Sequence, residues 1–141
     1  MTVPTIEEAV ALLRSSDYTI AIISASGERF TSRERGVATL MQLLAERPAL
    51  LRGAVVADKV VGRAAAALLV VGGCRMLHTA VLSRGGEQML RGSGVEYSYD
   101  TLTEAIINRR GDGLCPMELA TSSAQTPEEA YAILKERLAK Q

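Results

Sequence analysis

The chain has 141 residues, and its 16 Lys and Arg residues balance 16 Asp and Glu residues, so the formal net charge is zero. This length is typical of one domain, and an apolar content of 48% is enough for a core. With no basic surplus, one Phe, four Tyr and no Trp, the composition argues against a nucleic-acid-binding protein. We therefore predict a single domain over residues 1–141.

The start of the chain and its two cysteines bear on localisation. Residues 1–20 carry Glu7, Glu8 and Arg14, which is not the pattern of a secretory signal. The apolar run from Ala64 to Val71 is too short for a membrane span, which needs ~20 residues. Free thiols in a reducing compartment are then expected, so we predict a cytoplasmic protein without a membrane segment.

The first part of the chain is predicted to form a helix, a β-hairpin and a second helix. A capping box from Thr5 to Glu8 begins a helix that continues to about Arg14. The isoleucine-rich stretch from Tyr18 to Thr31, with a turn at its centre, is typical of a hairpin. Ser32 is predicted to cap the next helix, and Pro48 to end it.

The central stretch is predicted to be a short strand followed by a buried helix. Ala54 to Ala57 is apolar and strand-like, and Asp58 can accept hydrogen bonds from the first turn of a helix. The following residues are apolar on every side up to Gly72, which can supply a left-handed C-terminal residue. A helix without a polar face is covered on every side, so this one belongs to the core.

The remaining elements alternate between strands and helices, which predicts parallel pairing in the second half of the sheet. Together with the antiparallel hairpin, this gives an α/β fold with a three-layer α/β/α arrangement and a mixed sheet. A C-terminal loop and helix extension is predicted from about residue 101. The predicted elements are a strand from Arg75 to Leu82, a helix from Gly86 to Arg91, a strand from Val95 to Tyr99, a short helix after a capping box at Thr101 to Glu104, and a terminal helix capped at Thr126.

This element order resembles the cytidine-deaminase-like fold, in which H-x-E and P-C-x-x-C motifs open two helices and bind zinc. The first position here is Ser32-Arg33-Glu34, and the second is Ala57-Asp58-Lys59-Val60-Val61. Both metal motifs are missing. The resemblance therefore implies a cytidine-deaminase-like fold that works without zinc.

Two further stretches carry a second resemblance, namely Gly53 to Gly62 and Ile106 to Arg109 continuing through Gly113 to Pro116. In them the chain resembles an uncharacterised prokaryotic family, a domain of unknown function with the same deaminase-like fold. The resemblance covers about Tyr18 to Glu118. It implies the fold, and because the family has no established activity it does not imply a function.

Asp58, Lys59 and Gly62 form the first candidate ligand site, at the predicted start of the central helix. A helix N-terminus, an ammonium group and an exposed glycine backbone can together bind a polar ligand. The alternative is a salt bridge and a helix cap without a ligand. Neither nucleotide-binding glycine motif is present.

Cys115 is the second candidate, as a catalytic thiol. It precedes Pro116, which is favoured at the first helical position, and Glu118 follows three residues later as in a capping box. A helix N-terminus favours thiolate, and Arg109 adds positive charge nearby. The alternative is a cysteine that caps a helix without chemistry. The polar loop that leads to Cys115 supplies further candidate ligand contacts at Asn108, Arg109 and Gly113.

No metal or cofactor is predicted. Cys74 and His78 lie in one strand about 13 Å apart, which is too far for one tetrahedral site with ~2 Å bonds. We predict His78 to be a partly buried strand residue with one hydrogen bond, and Cys74 to be a small buried side chain.

These observations give three functional hypotheses. The first is a domain that binds a small molecule, nucleotide-like in character, at the N-termini of the helices starting near Ser32 and Asp58, with the loop from Asn108 to Cys115 closing over it. The second is a cysteine-dependent enzyme of acyl or sulfur transfer that uses Cys115. The third is an assembly protein, a homo-oligomer in which the small-residue helix packs against another chain.

Overall fold

The computed structural model describes residues 3–34, 37–106 and 116–139. In this part of the chain five strands form one mixed sheet in the order β2-β1-β3-β4-β5. β1 pairs antiparallel with β2 and β3, whereas β3, β4 and β5 run parallel to one another. The mixed sheet predicted from the sequence is therefore confirmed. The strands are β1 (Ile20–Ile23), β2 (Arg29–Ser32), β3 (Val55–Val61), β4 (Met76–Ser83) and β5 (Glu96–Thr103).

Helices lie on both faces of the sheet. The first helix packs on one face, against β1, β3 and β4, and the central helix packs on the other. No helix in the described part of the chain is long and apolar enough to cross a membrane. The helices are α1 (Ile6–Arg14), α2 (Ala38–Glu46), α3 (Pro48–Leu51), α4 (Arg63–Gly72), α5 (Arg84–Leu90), α6 (Pro116–Ala120) and α7 (Pro127–Ala139).

The central helix α4 is the middle of the larger core, as its all-round apolar sequence predicts. Leu68 and Leu69 are fully buried, and α5 and α7 border the helix. The small residues Ala66 and Ala67 are also fully buried. The face that motivated the assembly hypothesis is thus covered within this chain.

Several predicted helix caps are confirmed. The Glu8 N–H donates to Thr5 Oγ1 at 3.2 Å at the start of α1. The Glu129 N–H donates to Thr126 Oγ1 at 3.1 Å at the start of α7. Helix α6 begins at Pro116, the predicted first position. Both side-chain caps join residues three apart in the sequence, and neither Thr5 nor Thr126 lies in a strand.

The prediction that Asp58 caps the central helix is wrong. Asp58 lies inside β3, which continues to Val61, and Gly62 stands at the N-cap position of α4. The left-handed residue at its other end is Gly73, with φ of 76°, and not Gly72. Parallel pairing of β3 with β4 extends the strand four residues further than the local capping preference indicates.

Two other predicted helix starts are also corrected. Ser32 does not cap α2, because it pairs with Ile20 as the last residue of β2, and α2 begins at Ala38 without a side-chain cap. Thr101 does not begin a helix, because β5 continues to Thr103 along its parallel partner β4. In both places strand pairing overrides a local capping signal.

Candidate functional site

A row of polar side chains crosses the sheet on the face that carries α4. The strand register aligns Ser32 with Ile20, Ile20 with Asp58, and Asp58 with Thr79. Aligned residues on neighbouring strands point to the same face, and Ile20 belongs to the core beneath α4. We call Ser32, Asp58 and Thr79 the polar row. Ile20 lies between Ser32 and Asp58 in the register, so Asp58 and Thr79 are the direct neighbours within the row.

Asp58 is the charged member of the polar row. Its Oδ1 accepts a hydrogen bond from the Val60 N–H at 3.2 Å. In residues 3–34, 37–106 and 116–139 no ion pair to Asp58 is present. Burial raises the pKa of the Asp58 carboxyl from 3.8 to about 7, although backbone N–H groups of Val60 and Lys59 offset part of that effect. Its carboxyl therefore changes charge near neutral pH.

Thr79 is the fully buried member of the row. Its Oγ1 donates to the Val81 carbonyl at 3.1 Å, so the oxygen lone pairs remain as acceptors. Beyond this point Leu82, and not Val81, belongs to the larger core cluster together with Leu77. The alternation of core-facing and outward-facing side chains along β4 is therefore interrupted where Thr79 bonds to the backbone.

Hydrogen bonds extend the polar row from Ser32 into α2. The Glu34 N–H donates to Ser32 Oγ at 3.0 Å, and Ser32 Oγ lies 3.4 Å from Thr39 Oγ1. Thr39, which is buried, donates to Glu34 Oε2 at 3.1 Å. This chain places a second carboxylate, on the exposed Glu34, at the end of the row nearest α2.

The N-terminus of α4 is capped by a residue distant in sequence. Gly62 has no side chain to cap the helix, and the Arg63 N–H donates instead to Glu118 Oε1 at 2.7 Å. Ser83 Oγ donates to the same oxygen at 3.0 Å and accepts from the Gly86 N–H at 2.9 Å. A carboxylate is favoured at a helix N-terminus, so Glu118 occupies a position suited to an anion.

Gly62 makes room for this carboxylate. A Cβ atom at residue 62 would lie 2.0 Å from Glu118 Oε1 and 3.0 Å from its Cδ. The φ of Gly62 is −99°, a value that any residue adopts, so close approach and not backbone conformation requires glycine here. We call this contact the Glu118 seat.

The predicted site residues are only partly brought together. Asp58 lies in the polar row and Gly62 in the Glu118 seat, at the end of the same strand. Lys59 is exposed, and strand alternation directs it to the opposite face from Asp58. The other predicted site residues, Asn108, Arg109, Gly113 and Cys115, lie outside the described residues, so their roles stay predictions.

His78 and Cys74 have the environments predicted for them. The side chain of His78 is 19% exposed, and its Nδ1 lies 2.8 Å from Ser98 Oγ. Its Nε2 lies 3.5 Å from Asp100 Oδ1. Cys74 is buried, and burial raises the pKa of its thiol from 9.0 to about 12. In the part of the chain that the structure describes, no three His, Cys, Asp or Glu side chains form a group that could hold a metal.

The raised pKa of Cys74 predicts an unreactive thiol. In a Cys115→Ser variant Cys74 is the one remaining cysteine, and about 1 in 10⁴ of it is thiolate near pH 8 if its pKa is about 12. We expect the folded variant not to react with Ellman's reagent on the timescale of minutes, and the urea-unfolded variant to release one equivalent. Rapid reaction of the folded variant would contradict the buried placement.

The sequence profile of the family described as TM1506, domain of unknown function (DUF1893), matches residues 8–138. The chain belongs to the DUF1893 family. A crystal structure of a DUF1893 family protein, TM1506 from Thermotoga maritima, is similar to this chain with a TM-score of 0.84 and 26% identity. The match covers 94% of this chain and 88% of that one. No curated protein matches the chain.

Sequence reasoning missed three residues at this site. Thr79 and Ser83 are ordinary strand residues in the sequence, and only the register places them beside Asp58 and Glu118. The sequence predicts Glu118 only to cap its own helix at Cys115, which lies outside the described residues, and it does not predict the bond to the Arg63 N–H. The sequence did indicate that such a residue is needed, because α4 begins after a glycine, and the first N–H groups of the helix then need an acceptor from elsewhere in the chain. That signal does not say which residue supplies the acceptor.

Proposed function

We propose that this DUF1893 protein binds a small polar molecule through the polar row, with Asp58 as the central contact. The observation that carries the proposal is a carboxylate on the core-facing side of a sheet, with no ion-pair partner in the described part of the chain. Such a group costs stability when it is charged, and strongly shifted carboxyl groups cluster at functional sites. A ligand that donates hydrogen bonds to Asp58 would compensate that cost.

The free groups of the site favour a ligand that donates hydrogen bonds. Asp58 offers acceptor oxygens on the polar row, and Glu34 offers another at its end. The donors at the α4 N-terminus, by contrast, already bind Glu118. This balance favours the amide and amino edge of a nucleobase or nucleoside over a phosphate group.

The deaminase-like layout is supported only in part, because neither stretch at the position of a missing zinc motif opens a helix. The two stretches aligned with the missing zinc motifs, Ser32 to Glu34 and Ala57 to Val61, both contribute to the polar row or its continuation. The proposal is therefore a binding site at the polar row in which Asp58, and not a metal, contacts the ligand. Cysteine chemistry at Cys115 remains an alternative prediction without support from the described residues.

Thermal shift and calorimetry test the proposal. The probes are the common nucleobases, their nucleosides, their 5′-monophosphates and inorganic phosphate. We expect a nucleobase or nucleoside to stabilise the protein, by about 2.7 kcal/mol at 100 times its Kd. Because an ionised Asp58 is the better acceptor, affinity should increase as pH rises through about 7.

An Asp58→Asn variant should lose the stabilisation, because the amide nitrogen presents a donor where the ligand needs an acceptor. Glu96→Gln, which removes an exposed carboxylate from β5, is the matched control and should bind like the wild type. Absence of binding by every probe, or equal binding by Asp58→Asn, would refute the proposal.

A further inference from the structure

Helix α6 is attached to the rest of the protein in an unusual way. It has five residues, and its one buried side chain is Glu118, which is 8% exposed. Its large apolar residue Leu119 is 63% exposed. A short helix generally docks through apolar side chains, because their burial is the main favourable contribution to packing. Here a carboxylate makes the buried contact.

The contacts that hold α6 are mostly polar, with one apolar contact from Met117, which is partly buried against the core around α4. Glu118 accepts from the Arg63 N–H and from Ser83 Oγ at 2.7 and 3.0 Å. The Arg63 side chain donates to the Ala124 carbonyl at 3.2 Å, after the end of α6. Helix α7, in contrast, fully buries Ala130 and Leu134 in the core that contains α4. The two helices of this C-terminal segment therefore differ in how firmly they are attached.

We propose that α6 is a latch, which opens locally when Glu118 leaves its seat while α7 stays docked. Opening of α6 replaces the hydrogen bonds of Glu118 by bonds to water and exposes Met117, whereas separation of α7 also exposes Ala130 and Leu134, so α6 opens at the lower free energy. Opening uncovers the Arg63 N–H and the Ser83 hydroxyl at the carboxyl end of β3 and β4. If the opening of α6 controls ligand access, that role rests on the proposed function. The local opening of α6 does not depend on it.

Native-state hydrogen exchange on the full chain tests the latch without any ligand. The reporters are the N–H groups of Thr121 and Ser122, which donate to the carbonyl groups of 117 and 119 and not to Glu118. We expect them to exchange at least about 100-fold faster than the N–H groups of β3, and with little dependence on urea. The Ala130 N–H of α7 should follow β3 more closely.

Two variants release the latch in different ways. Glu118→Ala removes the carboxylate, and Gly62→Ala fills its seat without changing α6. Each should accelerate exchange at the reporters by about 10-fold or more beyond any change in β3. Glu128→Ala, which removes an exposed carboxylate from α7, is the control and should leave the reporters unchanged.

Exchange of the reporters at the rate and urea dependence of β3 would show that α6 opens only with global unfolding, and would overturn the proposal. Equal acceleration of β3 and the reporters in both variants would do the same. Neither result depends on nucleosides, so failure of the latch and failure of the proposed ligand site are distinguishable.

Discussion

Replacing Gly62 by alanine is expected to lower the free energy of unfolding by about 2–3 kcal/mol. The new Cβ would lie 2.0 Å from Glu118 Oε1 and 3.0 Å from Ile106 Cγ1, so the carboxylate has to shift away from the Arg63 N–H and the Ser83 hydroxyl. The Arg63 N–H and the Ser83 hydroxyl then lose their acceptor, and an unsatisfied buried polar group costs about 1–3 kcal/mol. The loss comes from the contact and not from backbone strain, because φ at residue 62 is −99°.

A double-mutant cycle measured by urea unfolding tests whether this loss of stability comes from the contact between residue 62 and Glu118. Glu118→Ala alone should cost about as much as Gly62→Ala, and the double variant should cost little more than either one, which gives a coupling of about 2 kcal/mol. Glu128→Ala, which removes an exposed carboxylate from α7, is the control. Additive costs of the two variants would show that Gly62 and Glu118 act independently.

Asp58→Asn is expected to stabilise the protein at alkaline pH and to change little at acidic pH. Burial raises the pKa of Asp58 in the folded state to about 7, above its ordinary value of 3.8. Between these values the folded protein binds a proton that the unfolded chain has released. The wild type therefore loses stability as pH rises through this window, and the loss is complete above about pH 7.

The asparagine variant lacks this loss and keeps an acceptor for the Val60 N–H. We expect its advantage to grow from about pH 4 to about pH 7 and then to level off at no more than about 4 kcal/mol. Urea unfolding across this range measures it, with Glu96→Gln reporting the contribution of an exposed carboxylate on β5. A constant difference at all pH values would show that the Asp58 carboxyl is not shifted.

Asp58→Asn is expected to raise stability and to lower ligand binding, so the two measurements on this one variant test the proposal together. One substitution should raise stability above neutral pH and abolish binding of the proposed ligand. Functional groups commonly carry such a cost in stability. A variant that is both less stable and unable to bind would indicate instead that Asp58 has a structural role.

The sequence by itself determined most of the local structure. The capping box at Thr5, the proline at residue 116 and the cap at Thr126 act through neighbours within four residues, and each is found where predicted. The run of apolar residues after Arg63 has no polar face, so its burial follows from composition alone. The mixed sheet followed from the order of strands and helices.

Tertiary structure decided the ends of the elements and the composition of the site. Ser32, Asp58 and Thr101 have good capping side chains, but pairing with neighbouring strands keeps each of them in the sheet. Register then aligned Asp58 with Thr79, and docking of α6 brought Glu118 to Gly62 from 56 residues away in the sequence. Local sequence specifies which hydrogen-bonding groups a residue offers, whereas the partners that satisfy them come from elements that meet only in the folded chain.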